Sequence, residues 1–227
     1  MKFIIMRKAI LTSDNSHTFF DKRTGEHYHS TFGAIQESQH IFIKAALEYK
    51  SQNSKELNIL EIGFGTGLNA LLTYKYAESN NMTINYIGIE AFPIDQKEAL
   101  VLNYPDLLNI KQEEFLKMHE DTEDKIRIGD SFILQKLFNK LELLKLGQAK
   151  FDIVYFDAFS PDVQLELWTE DIFKMIFDSM KKNAVLTTYS CKGIVKRAMK
   201  SAGFKIEKLP GPPGKREFLR AEKNGDG

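Results

Sequence analysis

The chain has 227 residues, enough to bury one sizeable core, and by length it is expected to be a single domain or a domain with a small extension. Its composition, 43% hydrophobic and 27% charged, excludes a disordered or fibrous protein. The 31 basic side chains are matched by 31 acidic ones, so no global field draws nucleic acid, and an RNA partner has to be met by a local basic patch.

Cys191 is the single cysteine, which rules out an internal disulfide and a multi-thiolate metal site within one chain. It reads as a small half-buried hydrophobe, and no metal is expected. The opening Met1–Lys8 is too brief an apolar run for a signal peptide, and no stretch approaches the roughly 18 apolar residues of a spanning helix. The expectation is a cytoplasmic protein without a membrane partner.

In chain order, Thr12–Thr31 is polar with Asp14-Asn15-Ser16 and Thr24-Gly25-Glu26 turn signals, which predicts a small hairpin. Gln36–Lys50 has apolar residues at helical spacing. Residues 1–50 are therefore expected to form a hairpin-and-helix extension laid against the open end of a sheet built from residues 51–227. From Leu57 onward, short apolar runs alternate with amphipathic stretches, the pattern of a parallel sheet covered by helices. Strands are predicted at Leu57–Ile62, Ile84–Glu90, Ile126–Ile128, Phe151–Asp157, Ala184–Thr188, Phe204–Leu209 and Phe218–Ala221. Helices are predicted at Gly67–Glu78, Ile94–Asn103, Ser131–Leu146, Leu165–Met180 and Cys191–Ala202. Pro210-Gly211-Pro212-Pro213-Gly214 is too short for a crossover helix, so the last two strands should pair antiparallel. The fold class expected is α/β and Rossmann-like. Its seven-stranded sheet would be mostly parallel, with an antiparallel last strand.

The cofactor reading rests on Glu61-Ile62-Gly63-Phe64-Gly65-Thr66-Gly67-Leu68-Asn69, an apolar strand that ends in an acid and runs through three alternate glycines into a helix. Glycines there let the backbone turn sharply and approach a ligand. The spacing is G-x-G-x-G, whereas nicotinamide dinucleotide sites use G-x-G-x-x-G beneath a pyrophosphate. Glu90 closes the second strand, where a carboxylate can accept from both ribose hydroxyls. Asp130 closes the third, where it can accept from an adenine amino group or cap the following helix. S-adenosyl-L-methionine is the cofactor expected, held by Glu61, Gly63, Phe64, Gly65, Gly67, Asn69, Glu90, Asp130 and Asp157, and the α/β fold expected is that of a Rossmann-like class I S-adenosylmethionine-dependent methyltransferase.

The fourth predicted strand ends in Tyr155-Phe156-Asp157-Ala158-Phe159-Ser160-Pro161. An acid followed by an aromatic here resembles the loop with which amino methyltransferases orient an amine and cradle the cation that forms. Asp157 and Phe159 are the catalytic candidates. An ordinary aspartate, with a pKa of about 3.9, cannot strip an alkyl ammonium near 10.4, so positioning an already neutral amine is the expected role.

With these segments assembled, the sequence resembles the methyltransferase domain of the bacterial tRNA wobble-uridine modification proteins, the MnmC/MnmD-like family, from about Ser30 to Ala221. The resemblance is carried by Gly33-Ala34-Ile35-Gln36-Glu37-Ser38-Gln39-His40, by Glu61–Asn69, by Asp157-Ala158-Phe159-Ser160-Pro161 and by Gly214-Lys215-Arg216-Glu217-Phe218-Leu219. It implies methylation of the 5-aminomethyl group of (2-thio)uridine at the tRNA wobble position, giving 5-methylaminomethyl-2-thiouridine. It further implies the tRNA anticodon stem-loop as partner. Fused members carry a flavin-dependent oxidase domain for which this length leaves no room, so no flavin is expected. Glu37 and His40 match the family pattern without a role that the sequence defines.

Lys196, Arg197, Lys215 and Arg216 are the candidate tRNA contacts, with Lys192, Lys200, Lys205, Lys208 and Arg220 near them in sequence. A solvated helix face accounts for the same charges. Two further readings stay open: a methyltransferase of a small free amine, and a protein that binds S-adenosylmethionine or RNA without chemistry. A nicotinamide oxidoreductase is disfavoured by the glycine spacing and the antiparallel ending.

Overall fold

The computed structural model describes residues 7–224. Among the described residues three short strands come first: β1 (Arg7–Leu11), β2 (His17–Asp21) and β3 (Glu26–His27), paired antiparallel in that order. Asn15, at φ 64°, supplies the left-handed turn between the first two, a conformation asparagine tolerates better than most residues. A continuous helix, α1 (residues 34–51), follows, and over Gln39–Glu48 it takes the wider π geometry. Its inner face buries Ile41, Phe42, Ala46 and Leu47 against the main sheet.

The main sheet has eight strands. They are β4 (Glu56–Ile62), β5 (Thr83–Ile89), β6 (Ile126–Ile128), β7 (Phe132–Leu137), β8 (Phe151–Phe156), β9 (Met180–Thr188), β10 (Lys205–Pro210) and β11 (Glu217–Glu222). Their spatial order is β10-β11-β9-β8-β4-β5-β7-β6. β4 pairs in parallel with β5 on one side and β8 on the other, so the chain reverses its direction of progress across the sheet there. A crevice opens outside the strand ends at such a switch point. β11 is antiparallel to both β9 and β10, as the short proline-glycine connection requires. α1 and α2 (Leu68–Asn80) cover one face, and α3 (Glu170–Ser179) and α4 (Gly193–Ser201) belong to the core on the other.

The stretch Ser131–Leu146, expected as a helix, instead begins with β7. Phe132-Ile133-Leu134-Gln135-Lys136-Leu137 alternates buried and half-buried positions, the two-residue period of a strand, and it pairs along its full length with β5. β6 folds back antiparallel onto β7 through a tight turn in which Gly129 has φ 57°, so the third apolar run is an edge strand and the sheet gains an eighth member. The helix expected over Ile94–Asn103 is reduced to one turn, Gln96–Ala99, started by an Asp95–Glu98 capping box. Two more short helical segments, Tyr104–Leu108 and Gln112–Lys117, complete that crossover. Among the described residues no helix is long and apolar enough to cross a membrane.

Gly88 lies mid-sheet in β5, where a Cβ would sit 2.5 Å from Phe64 Cδ2. Gly88→Ala is therefore expected to cost about 1–3 kcal/mol of folding stability through overpacking, read as a lower urea midpoint. An unchanged midpoint contradicts this packing.

Candidate active site

β4 ends in the glycine loop, and Gly63, Gly65 and Gly67 all take left-handed backbone angles, with φ of 85°, 53° and 72°. A Cβ on Gly63 would lie 2.6 Å from the carbonyl oxygen of Asp157, so the ends of β4 and β8 meet backbone to backbone. Glu90, just past β5, fastens the loop from the other side. Its Oε2 accepts from the Gly65 N–H at 2.8 Å, and its Oε1 accepts from the Phe92 N–H at 2.8 Å. Phe64 contributes backbone to the cleft, while its ring is buried against Gly88 and His119.

Below the loop, the Asn69 amide bridges two carboxyl groups. Its Nδ2 donates to Glu61 Oε1 at 2.8 Å and to Asp157 Oδ2 at 2.9 Å, and Tyr86 donates its hydroxyl to Glu61 Oε2 at 2.8 Å. Glu61 is fully buried, and loss of water pushes its pKa well above the ordinary carboxylate range, with Asp157 adding repulsion. Burial likewise raises Asp157 to about 7, helped by the Glu37 charge and opposed by the Asn69 hydrogen bond and Lys215.

Aromatic side chains wall the cleft beside Asp157. Tyr28 meets Phe159 edge to face at 5.2 Å, and Tyr189 donates its hydroxyl to Ala158 O at 2.9 Å. The loop after β8 is fixed by Trp168, whose Nε1 donates to Phe159 O at 2.9 Å, and by Glu26 of β3, whose Oε2 accepts from the Ser160 N–H at 3.0 Å. Lys215 turns inward, with Nζ 4.4 Å from the Tyr189 ring centre and 3.2 Å from Glu37 Oε1.

These groups border one cleft of about 530 Å³. Of the residues picked from sequence, Gly63, Phe64, Gly65, Asn69, Glu90, Asp157, Phe159 and Lys215 line it, Glu61 lies beneath Asn69, and Gly67 begins α2. Asp130 is a correction. It sits in the β6–β7 turn at the amino end of β7, which pairs with the start of β5, so the length of these strands separates it from Glu90. The residues that leave the carboxyl end of β7, Asn139-Lys140-Leu141-Glu142, border the cleft in its place. Arg216 is exposed on the β10–β11 turn, while Lys196 and Arg197 are on α4; none of the three lines the cleft. Sequence reasoning missed Glu26, Tyr28 and Tyr189, and found no role for Glu37. Tyr189 alone had a local signal, since it follows directly on the carboxyl end of a predicted parallel strand.

Residues 95–224 match the model of a family described as S-adenosyl-L-methionine-dependent methyltransferase. The chain is 32% identical over its whole length to the tRNA 5-methylaminomethyl-2-thiouridine biosynthesis bifunctional protein MnmC of Campylobacter hominis, of which it covers 32%. It is 31% identical over 92% of its length to the protein of that name from Leptospira interrogans, of which it covers 34%. The chain thus spans about a third of the length of these curated relatives. The crystal structure of MNMC2 from Aquifex aeolicus superposes with a TM-score of 0.79 at 26% identity, covering 96% of this chain and 70% of that one. Spermidine synthase from Thermotoga maritima, at 14% identity and a TM-score of 0.55, shares the fold.

The raised pKa of Asp157 predicts a sign for stability. A carboxyl group with a folded pKa of about 7 favours the folded state below the unfolded value near 4, and that contribution is lost as pH rises through 7. Wild-type stability relative to Asp157→Asn should therefore fall between pH 4 and 7 in paired urea titrations. A flat difference contradicts the burial argument.

Proposed function

The chain belongs to a family of S-adenosyl-L-methionine-dependent methyltransferases, and we propose that its acceptor is the amino group of a 5-aminomethyl-(2-thio)uridine at the tRNA wobble position. The product is 5-methylaminomethyl-2-thiouridine. The observation that carries the reading is the Asp157 carboxyl, buried at the end of β8 and bordered by Asn69 and the Phe159, Tyr28 and Tyr189 rings. The names of the bifunctional relatives supply the nucleoside.

The residues present fit S-adenosylmethionine. Asn69 Oδ1 is buried without a donor, and the turn at Gly63 leaves no room for a side chain. Each Glu90 oxygen accepts one backbone N–H and keeps a lone pair for a ribose hydroxyl. Residues 139–142 replace Asp130 as candidates for the base. When bound, the cofactor supplies an electrophilic methyl group on a sulfonium centre.

The chain's own groups must present a neutral amine and tolerate the cation that follows. Asp157, ionised above pH 7, can accept an amine N–H and so fix the direction of the lone pair. Its pKa remains far below that of an alkyl ammonium, so it orients the amine rather than strips it. The aromatic wall excludes water and offers ring faces to the methylammonium product. Arg216, Arg197 and Lys196 are available to tRNA phosphates outside the cleft.

Asp157→Asn is expected to lower kcat on aminomethyl-bearing tRNA by about 100-fold or more while S-adenosylmethionine binds as before, measured by calorimetry. Wild-type kcat/KM on that tRNA should fall by about tenfold or more between 50 and 200 mM salt, because phosphate contacts are lost. Salt-insensitive turnover favours a small free amine as the acceptor. Full turnover by Asp157→Asn contradicts the assignment of the site.

A further inference from the structure

Lys215 is carried by a braced turn. Between β10 and β11, the Gly211 N–H donates to Arg216 O at 3.0 Å and the Lys215 N–H to Pro212 O at 2.9 Å. His40 of α1 steadies the edge of the turn, with Nε2 2.7 Å from Pro210 O and its ring edge to face with Phe218. Glu37 lies one helical turn earlier on α1, so both family-pattern residues without a sequence-derived role face the element that presents Lys215.

Glu37 has the features of a cation site. It is 8% exposed, and its Oε2 accepts from the Ser30 N–H at 2.7 Å. Its Oε1 is buried and has no hydrogen-bond donor, because the Lys215 ammonium is within ion-pair distance but not aligned for a hydrogen bond. A buried carboxylate oxygen held by an ion pair alone, without an aligned hydrogen bond, leaves room for a better-placed donor. The donor that fits a buried carboxylate and a ring face together is a primary amine with its several N–H groups. A lysine side chain ends in that same chemical group.

We propose that Glu37 and the face of Tyr189 form the subsite for the acceptor amine, and that Lys215 occupies it as an intramolecular stand-in until the substrate's aminomethyl group displaces it. The proposal rests on the aminomethyl-uridine reading above. Glu37 then touches the substrate alongside Asp157, and Lys215 competes with the substrate instead of clamping a phosphate. Entry of the substrate as an ammonium keeps the buried Glu37 carboxylate compensated during the exchange, which avoids the penalty of an unpaired buried charge, and the amine then gives its proton to solvent before it accepts the methyl group as a neutral nucleophile.

The test uses the full chain carrying isotope-labelled lysine. The Lys215 side-chain NMR signal is assigned by its absence in Lys215→Met. Propylammonium chloride is added, with sodium chloride at equal ionic strength as the control. Saturable displacement of the Lys215 signal in the wild type and none in Glu37→Gln is the expected result. A signal that moves no further than in sodium chloride overturns the proposal. On aminomethyl-bearing tRNA, Glu37→Gln should raise KM about tenfold or more with cofactor affinity unchanged, the loss of one charge-assisted hydrogen bond. Lys215→Met should lower KM severalfold. A raised KM with a weaker salt dependence in Lys215→Met identifies a phosphate clamp and overturns the proposal. Failure of the wild type to methylate that tRNA overturns the reading of the preceding subsection and not the subsite, which the propylammonium arm then supports or overturns by itself.

Discussion

A single amide, that of Asn69, bridges two carboxyl groups: Glu61, which water does not reach, and the half-buried Asp157, which lines the cleft. Removing a carboxylate from water is expensive unless hydrogen bonds replace its hydration, and here the Asn69 Nδ2 group supplies one to Glu61 and one to Asp157. Tyr86 adds the third bond of the network. Those bonds tie the end of β4, the middle of β5, the first turn of α2 and the end of β8 into one rigid unit. Both the glycine loop and the catalytic candidate take their positions from it. The close approach of Gly63 to the Asp157 carbonyl is the backbone expression of the same constraint.

The site is completed by a roof that belongs to the first 50 residues. Arg7 of β1 donates to both Glu98 oxygens, at 3.1 and 2.9 Å, and to the Tyr28 hydroxyl at 2.8 Å. The His17 N–H donates to Asn103 Oδ1 at 2.8 Å. The segment after β5 is thereby pinned to the N-terminal sheet, as the loop after β8 is pinned by Glu26. A cleft closed on one side by strand ends and on the other by β3 and α1 holds an acid and aromatic rings together in a partly buried setting, where electrostatic positioning is stronger than in open solvent.

The parts legible in the sequence were those whose cause is local. Alternate glycines between a strand and a helix, the acids Glu90 and Asp157 at the ends of parallel strands and a proline-glycine turn are each read from their own neighbours, and the structure places them at the strand ends and turns expected. Ser131–Leu146 failed because its apolar residues satisfy both helical and strand spacing; pairing with β5, a contact remote in sequence, decides for the strand. Asp130 was lost with it, since its assignment depended on the third run being a parallel strand that ends at the crevice. Tyr28, Glu26 and Glu37 were invisible as site residues for a related reason. They reach the cleft through contacts across the chain, such as Glu26 with Ser160 and Glu37 with Lys215, and nothing in their neighbouring residues announces it.

The central claim is that the buried Asp157 site delivers a methyl group to an amine on a wobble uridine. It is tested most directly by incubating the protein with isotope-labelled S-adenosylmethionine and two tRNA preparations, one bearing 5-aminomethyl-2-thiouridine and one bearing unmodified uridine at that position. Nucleoside mass spectrometry then locates the label. The account predicts label in 5-methylaminomethyl-2-thiouridine alone and none in the second preparation. Label in any other nucleoside, or none in either tRNA while the cofactor binds, contradicts it.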